Sequence, residues 1–124
     1  MRLFKLLGLL ILAAVLTACT ATAAGDPAVA VETYLQAKVG GDGDTIQALL
    51  CSELEQNLER EKQTFATVSE AHLENMACTH TGNGRVTCEG VITALYGTEE
   101  TEFPLTNYRA VNEDGEWKWC GETE

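Results

Sequence analysis

Five cysteines, two histidines and a few close-set carboxylates are the side chains of this 124-residue chain best suited to chemistry. Cys51, Cys78, Cys88 and Cys120 make an even set, and Cys19 stands apart as the odd one. In an oxidising compartment an even set reads as two disulfides, with three possible pairings. In a reducing one, Cys78, His80 and Cys88 would be the candidate metal ligands. His72 and His80 are the only imidazoles, and no nucleophile-elbow pattern accompanies them, so no catalytic residue is assigned. Asp42-Gly43-Asp44 with Glu53 at the twelfth place has the outline of a calcium loop. Ile46 and Gln47 stand where that loop needs an oxygen ligand and a glycine, so Asp44 is read as a helix cap instead. Glu99, Glu100 and Glu102 cluster at an expected hairpin tip. Acid–base work needs carboxylates whose pKa values burial drives apart, and a tip is exposed, so these read as a solvated charge run. Tyr34, Tyr96, Tyr108, Trp117 and Trp119 are the aromatic candidates for packing or for lining a ligand cavity. No metal and no cofactor is expected.

The N-terminus decides between the redox readings. Arg2 and Lys5 precede an apolar run from Leu6 to Leu16, the layout of an export signal. The run is 11 residues long, against roughly 20 for a membrane-spanning helix. Leu16-Thr17-Ala18-Cys19 resembles the bacterial lipobox. That resemblance implies removal of residues 1–18 as a lipoprotein signal peptide, a diacylglyceryl group on the Cys19 thiol, and residues 19–25 as a lipidated tether. Each buried methylene of such an anchor adds about 0.8 kcal/mol of membrane affinity. The alternative is plain secretion after the small residues Ala21-Thr22-Ala23. Cleavage before Cys19 leaves six basic and nineteen acidic residues, a net charge of −13. A chain so acidic repels nucleic acid and anionic headgroups, so no nucleic-acid partner is expected. The expected location is a cell membrane, on its extracytoplasmic side. Thr20 carries no inner-membrane retention signal of the Asp type, which points to an outer membrane where the host has one.

Residues 26–124 are expected to form a single α+β domain. Asp26-Pro27 can cap and open a first helix, whose apolar face carries Val31, Tyr34, Leu35 and Val39. Gly40-Gly41 ends it. Asp44, helped by Gln47, is expected to cap a second helix with Ile46, Leu49, Leu50, Leu54 and Leu58 inward, either continuous or a pair broken near Ser52, ending around Phe65. The charged run Glu53–Lys62 is expected to cover its solvent side. From about Leu73 the period becomes two. Arg85–Tyr96, Thr101–Val111 and Glu116–Cys120 read as strands, with Pro104 marking an edge or a bulge. In the long strand Val86, Cys88, Ile92, Ala94 and Tyr96 share a face. Helices followed by a meander predict helices packed on one face of a curved antiparallel sheet of about four strands.

The hairpin register addresses the disulfides. With Gly82-Asn83-Gly84 as a three-residue loop, Thr81 faces Arg85 and Cys78 faces Cys88. Elimination leaves Cys51 with Cys120, a staple from the second helix to the last strand. Loop entropy assigns about 3 kcal/mol to the short closure and about 4 to the long one.

The opening Asp26-Pro27 to Tyr34-Leu35, then Gly41-Asp42 and Leu49-Leu50, resembles the start of the cystatin-like α+β roll. The ending Asp114-Gly115-Glu116-Trp117-Lys118 is similar to the last strand of that superfamily, which includes nuclear-transport-factor-like, ketosteroid-isomerase-like and polyketide-cyclase-like domains. Small bacterial lipoproteins carrying a domain of unknown function of this type are the nearest likeness. The resemblance implies a cone of helices over a bent sheet with an apolar pocket. It brings no catalytic residue onto this sequence. The expected function is therefore non-catalytic binding of a small apolar ligand or a protein partner at the membrane, with homodimerisation through the sheet as an analogy. The rivals are a small enzyme of the isomerase or cyclase kind and an accessory subunit of an envelope complex. The enzyme needs a pocket with a buried Asp, Glu or His beside Tyr or Trp.

Overall fold

A computed structural model describes residues 25–124. The expected signal peptide, Cys19 and residues 20–24 lie outside them. Three helices precede a five-stranded antiparallel sheet: α1 (Pro27–Gly40), α2 (Gly43–Leu49) and α3 (Leu58–Lys62), then β1 (Ser69–Gly82), β2 (Arg85–Tyr96), β3 (Glu99–Pro104), β4 (Asn107–Glu113) and β5 (Glu116–Thr123). A 3-10 helix, Ser52–Asn57, links α2 to α3. The strand order is β1-β2-β4-β5, with β3 pairing beside β4 on the same side of β2. Among the described residues no helix is long and apolar enough to cross a membrane.

Helix α1 forms as its sequence requires. The Asp26 carboxylate accepts from the Ala28 amide at 2.9 Å, Pro27 takes the first turn, and Gly41 ends the helix in the left-handed region. Its buried face is Val31, Tyr34, Leu35 and Ala37. Helix α2 is capped by Asp42 and not by Asp44. Asp42 accepts from the Thr45 amide and hydroxyl, and the latter bond above all holds its carboxyl below the usual range. Thr45 offers Asp42 two donors, which decides between the two candidate caps. The helix stops at Leu50-Cys51 because these residues join the sheet: Leu50 bridges Trp119, and the Cys51 amide donates to the Trp119 carbonyl at 2.9 Å. Together they cover the outer edge of β5, which would otherwise offer unpaired backbone to a neighbour.

The expected third strand, Thr101–Val111, is two strands, so the sheet has five instead of about four. The chain breaks at Leu105-Thr106, just after Pro104, which lacks an N–H for the ladder. The break matches Gly90 on β2, where φ is +106°. A Cβ at Gly90 would come within 2.6 Å of the Glu74 carbonyl oxygen and 2.7 Å of that of Asn75. At the same level β1 slips register between Glu74 and Ala77, with Asn75 at φ +54°. Three adjacent strands thus lose regularity along one line, where bulged strands bend. Two further register slips blunt β1 as an edge. One of them bears on the hairpin: Gly82 faces Arg85 across the two-residue loop Asn83-Gly84, both at positive φ. The loop is one residue shorter than expected. Thr81 bulges out to compensate, and Cys78 still faces Cys88.

The core lies between α1 and the sheet, with Val31, Tyr34, Ile46, Val86, Ile92, Tyr108 and Trp119 buried. Both disulfides join the expected partners, Cys78–Cys88 and Cys51–Cys120. The Cys78 amide, on the open edge of β1, donates to the Glu32 carboxylate of α1 at 3.0 Å.

Candidate functional site

A cavity of about 200 Å³ opens at the C-terminal end of α1. Leu35 and Lys38 come from the helix, Phe65 from the segment after α3, Ile92 and Tyr96 from β2, Phe103 from β3, Tyr108 from β4, and Trp119 and Glu122 from β5. Ile92 and Tyr96 follow Gly90 on β2, and Phe103 is paired beside Ile92 on β3. Phe65, Phe103 and Tyr96 meet edge to face there, with ring centroids 6.4 and 6.2 Å apart. Phe103 at 37% and Tyr96 at 47% exposure form an apolar rim.

A polar knot sits behind the floor. The Tyr34 hydroxyl donates to Glu61 Oε2 at 2.7 Å, and Lys38 Nζ reaches the same oxygen at 2.8 Å. Tyr34 and Lys38 are one helical turn apart on α1, so both point at α3. Tyr34 stacks on Trp119 with centroids 4.2 Å apart and planes 8° from parallel, while Lys38 Nζ lies 5.2 Å from the Trp119 ring centroid. Burial, the bond to Glu61 and that carboxylate's charge push the Tyr34 hydroxyl far above the ordinary phenol range, so it stays a proton donor. Burial also raises Tyr108. Glu61 is buried, but Lys38 and not Glu61 lines the cavity. The Trp119 Nε1 and Thr93 Oγ1 atoms are buried without a hydrogen-bond partner among the described residues.

Of the five aromatic candidates, Tyr96, Tyr108 and Trp119 line the cavity and Tyr34 packs beneath it. Tyr96 was expected on the inward face with Val86 and Ile92. It is half exposed, as the last residue of β2 at the turn into β3. Trp117 is elsewhere, half-buried near the N-terminal end of α1 and 6.2 Å from the His80 ring. His80 Nε2 accepts from the Gly84 amide at 3.2 Å and fastens the hairpin tip. With Cys78 and Cys88 in a disulfide, the alternative of a metal held by these three residues loses its thiolates. Cys51, Glu53 and Cys120 have ligand-like spacing, but both sulfurs are bonded to each other, and Glu53 pairs with Arg109. Glu99, Glu100 and Glu102 line an exposed stretch of β3.

Glu61 is the candidate-site residue that the sequence reading misplaced, since the charged residues of the run Glu53–Lys62 were expected to cover the solvent side. The signal was present. Leu54, Leu58, Glu61 and Phe65 follow a three-to-four-residue spacing, so Glu61 falls on the apolar face of its own helix. Lys38 and Phe103 had no such signal, because their neighbours come from distant strands. No protein-family model and no curated protein sequence matches this chain.

Proposed function

We propose that this chain is a lipid-anchored extracytoplasmic binding domain with a cystatin-like cone, which holds a small, mainly apolar ligand between α1 and the bent sheet. The aromatic cavity carries the reading. Its volume of about 200 Å³ is below the roughly 300–1,000 Å³ of sites for drug-sized ligands. A ligand of one or two fused rings fits that space. Lys38, already neutralised by Glu61, and Glu122 give the mouth one hydrogen-bonding group of each kind. The lipobox at Cys19 supports the anchor, and the two disulfides agree with an oxidising compartment.

Titration with indole and naphthalene, followed by the Trp119 indole resonance in a nitrogen–proton correlation spectrum, tests the cavity. Saturable shifts at Trp119, lost in Ile92→Trp where the new ring fills the space, are the expected result. A Trp119 resonance indifferent to both probes refutes the binding site. Metabolic labelling with palmitate tests the anchor, with label in the natural chain and none in Cys19→Ala.

A second reading, an isomerase-like enzyme, is favoured by one observation: Glu61 is a buried carboxylate hydrogen-bonded to Tyr34, which stacks on Trp119. Hydrogen–deuterium exchange at the α-carbons of added cyclohexanone, present in the natural protein and abolished in Glu61→Gln, would establish it. Exchange at the solvent rate would leave binding as the function.

A further inference from the structure

The opposite end of α1 carries a second feature that the cavity does not use. An open groove of about 420 Å³ runs between the N-terminal half of α1, α2 and the start of β5. Its floor is apolar: Val29, Ala30, Leu49 and Trp117. Val29 is 58% exposed, ahead of Tyr96 and Phe103 among the exposed large hydrophobic residues described. Trp117 packs partly against the core and leaves its remaining surface beside the exposed Val29 at this end.

We infer that this groove rests on a zwitterionic phospholipid surface and sets the orientation of the domain on the membrane. The inference rests on the reading of Cys19 as lipid-bearing. Gly25 lines the groove, and Cys19 precedes it by six residues. Six residues reach at most about 20 Å, so a bilayer holding the lipid lies within a domain's width of the groove. A tether this short keeps the two at high effective concentration, and a small apolar patch suffices to choose the docked face. Tryptophan is the side chain suited to the headgroup level. Among the described residues, the charged groups lining the groove are the carboxylates Asp26 and Glu116. Asp26 is occupied by the Ala28 amide, and Glu116 pairs with Lys118 at 3.0 Å. The groove therefore has no attraction for anionic headgroups, and the acidic chain as a whole is repelled by them. Val29 and Lys38 stand nine residues apart on α1, about 14 Å along its axis. The docked domain holds the cavity mouth away from the bilayer, open to solutes and not to lipid.

The experiment uses the full chain, matured in a bacterial membrane and reconstituted into phosphatidylcholine vesicles with brominated acyl chains. Val29→Cys and Glu100→Cys, both exposed positions, each carry an environment-sensitive fluorophore. The intact mass of the protein and its flotation with vesicles read the anchor separately. The expected result is quenching of the Val29 label by more than half, a Glu100 label hardly affected, and weaker Val29 quenching in vesicles enriched in phosphatidylglycerol. Flotation with equal, weak quenching at both positions overturns the docked face and leaves the anchor standing. A mass without lipid overturns the anchor, and the inference falls with it. A Val29 label shielded in detergent in proportion to protein concentration shows a second copy on the groove, and a label shielded until residues 20–24 are deleted shows the chain's own tether there. Either outcome overturns the lipid assignment.

Discussion

Replacing Lys38 by Met and Glu61 by Leu, singly and together, dissects the polar knot behind the cavity. The side chains are 17% and 11% exposed, so neither group has much water to fall back on. Glu61→Leu removes the acceptor of the Tyr34 hydroxyl and strands the Lys38 ammonium against Trp119. A hydrogen bond to a charged partner is worth about 1.5–3 kcal/mol, and an orphaned buried charge costs about 3–5 kcal/mol when burial is complete. Lys38 can still turn partly outward, so about 3 kcal/mol is expected for the single change, near 15 °C in Tm for a domain of this size. Lys38→Met alone is expected to cost about 2 kcal/mol, because Glu61 keeps the Tyr34 donor. The double variant is expected to recover at least ~2 kcal/mol of the summed loss, since a buried ion pair exchanged for apolar groups of similar volume is often neutral. Urea unfolding without reductant measures all three, and unchanged m values certify the comparison. Additivity within about 0.5 kcal/mol would refute the coupling and mean that the pair is held apart by water.

Other consequences can be measured on the same material. Removing Cys51 and Cys120 together should cost about 4 kcal/mol and removing Cys78 and Cys88 about 3 kcal/mol, from closures of 69 and 10 residues; an equal or reversed order in urea midpoints would contradict the loop-entropy account. Gly90→Ala should destabilise by more than about 2 kcal/mol, since the new methyl meets two carbonyl oxygens at a left-handed φ, and a neutral result would show that β2 does not bend there. His72 should titrate above its ordinary value near 6.5. As the imidazolium it donates to the Glu70 carbonyl, the larger cause, and to the Glu74 carboxylate. The folded pKa is raised, so this contribution is complete below about pH 6.5 and is lost as pH rises through the folded value; an imidazole proton titration at or below the ordinary value would remove it.

Elements fixed by local chemistry were legible in the sequence. The first helix carries its cap, its proline and its stop within a few residues, and β2 carries alternation broken only at Val91 and Leu95. The pairing of Cys78 with Cys88 was reached through a loop one residue too long, and the bulge at Thr81 cancelled the error. A hairpin loop and a bulge shift register by equal and opposite steps, and composition does not reveal which is used. The cap was misassigned between Asp42 and Asp44 because each has suitable spacing, and the extra donor on Thr45 decides. The break at Leu105-Thr106 was not legible beyond Pro104, since its partner Gly90 stands on another strand. The cavity shared that difficulty: Leu35, Phe65, Phe103 and Trp119 converge only after the sheet bends. Glu61 was legible in principle, but charge masked its phase.

The bridging role of β5 has a bearing on the order of events in folding. Trp119 stacks on Tyr34, pairs with Leu50 and stands next to the cysteine that closes a loop of 69 residues. Helices α1 and α2 consequently lack part of the surface they pack on until β5 arrives, although α1 also packs on β1 and β2. Contacts so far apart in sequence make the search slow, because loop closure must precede the reward. Under the proposed export, closure that waits for β5 suits a polypeptide that has to cross a membrane before it folds.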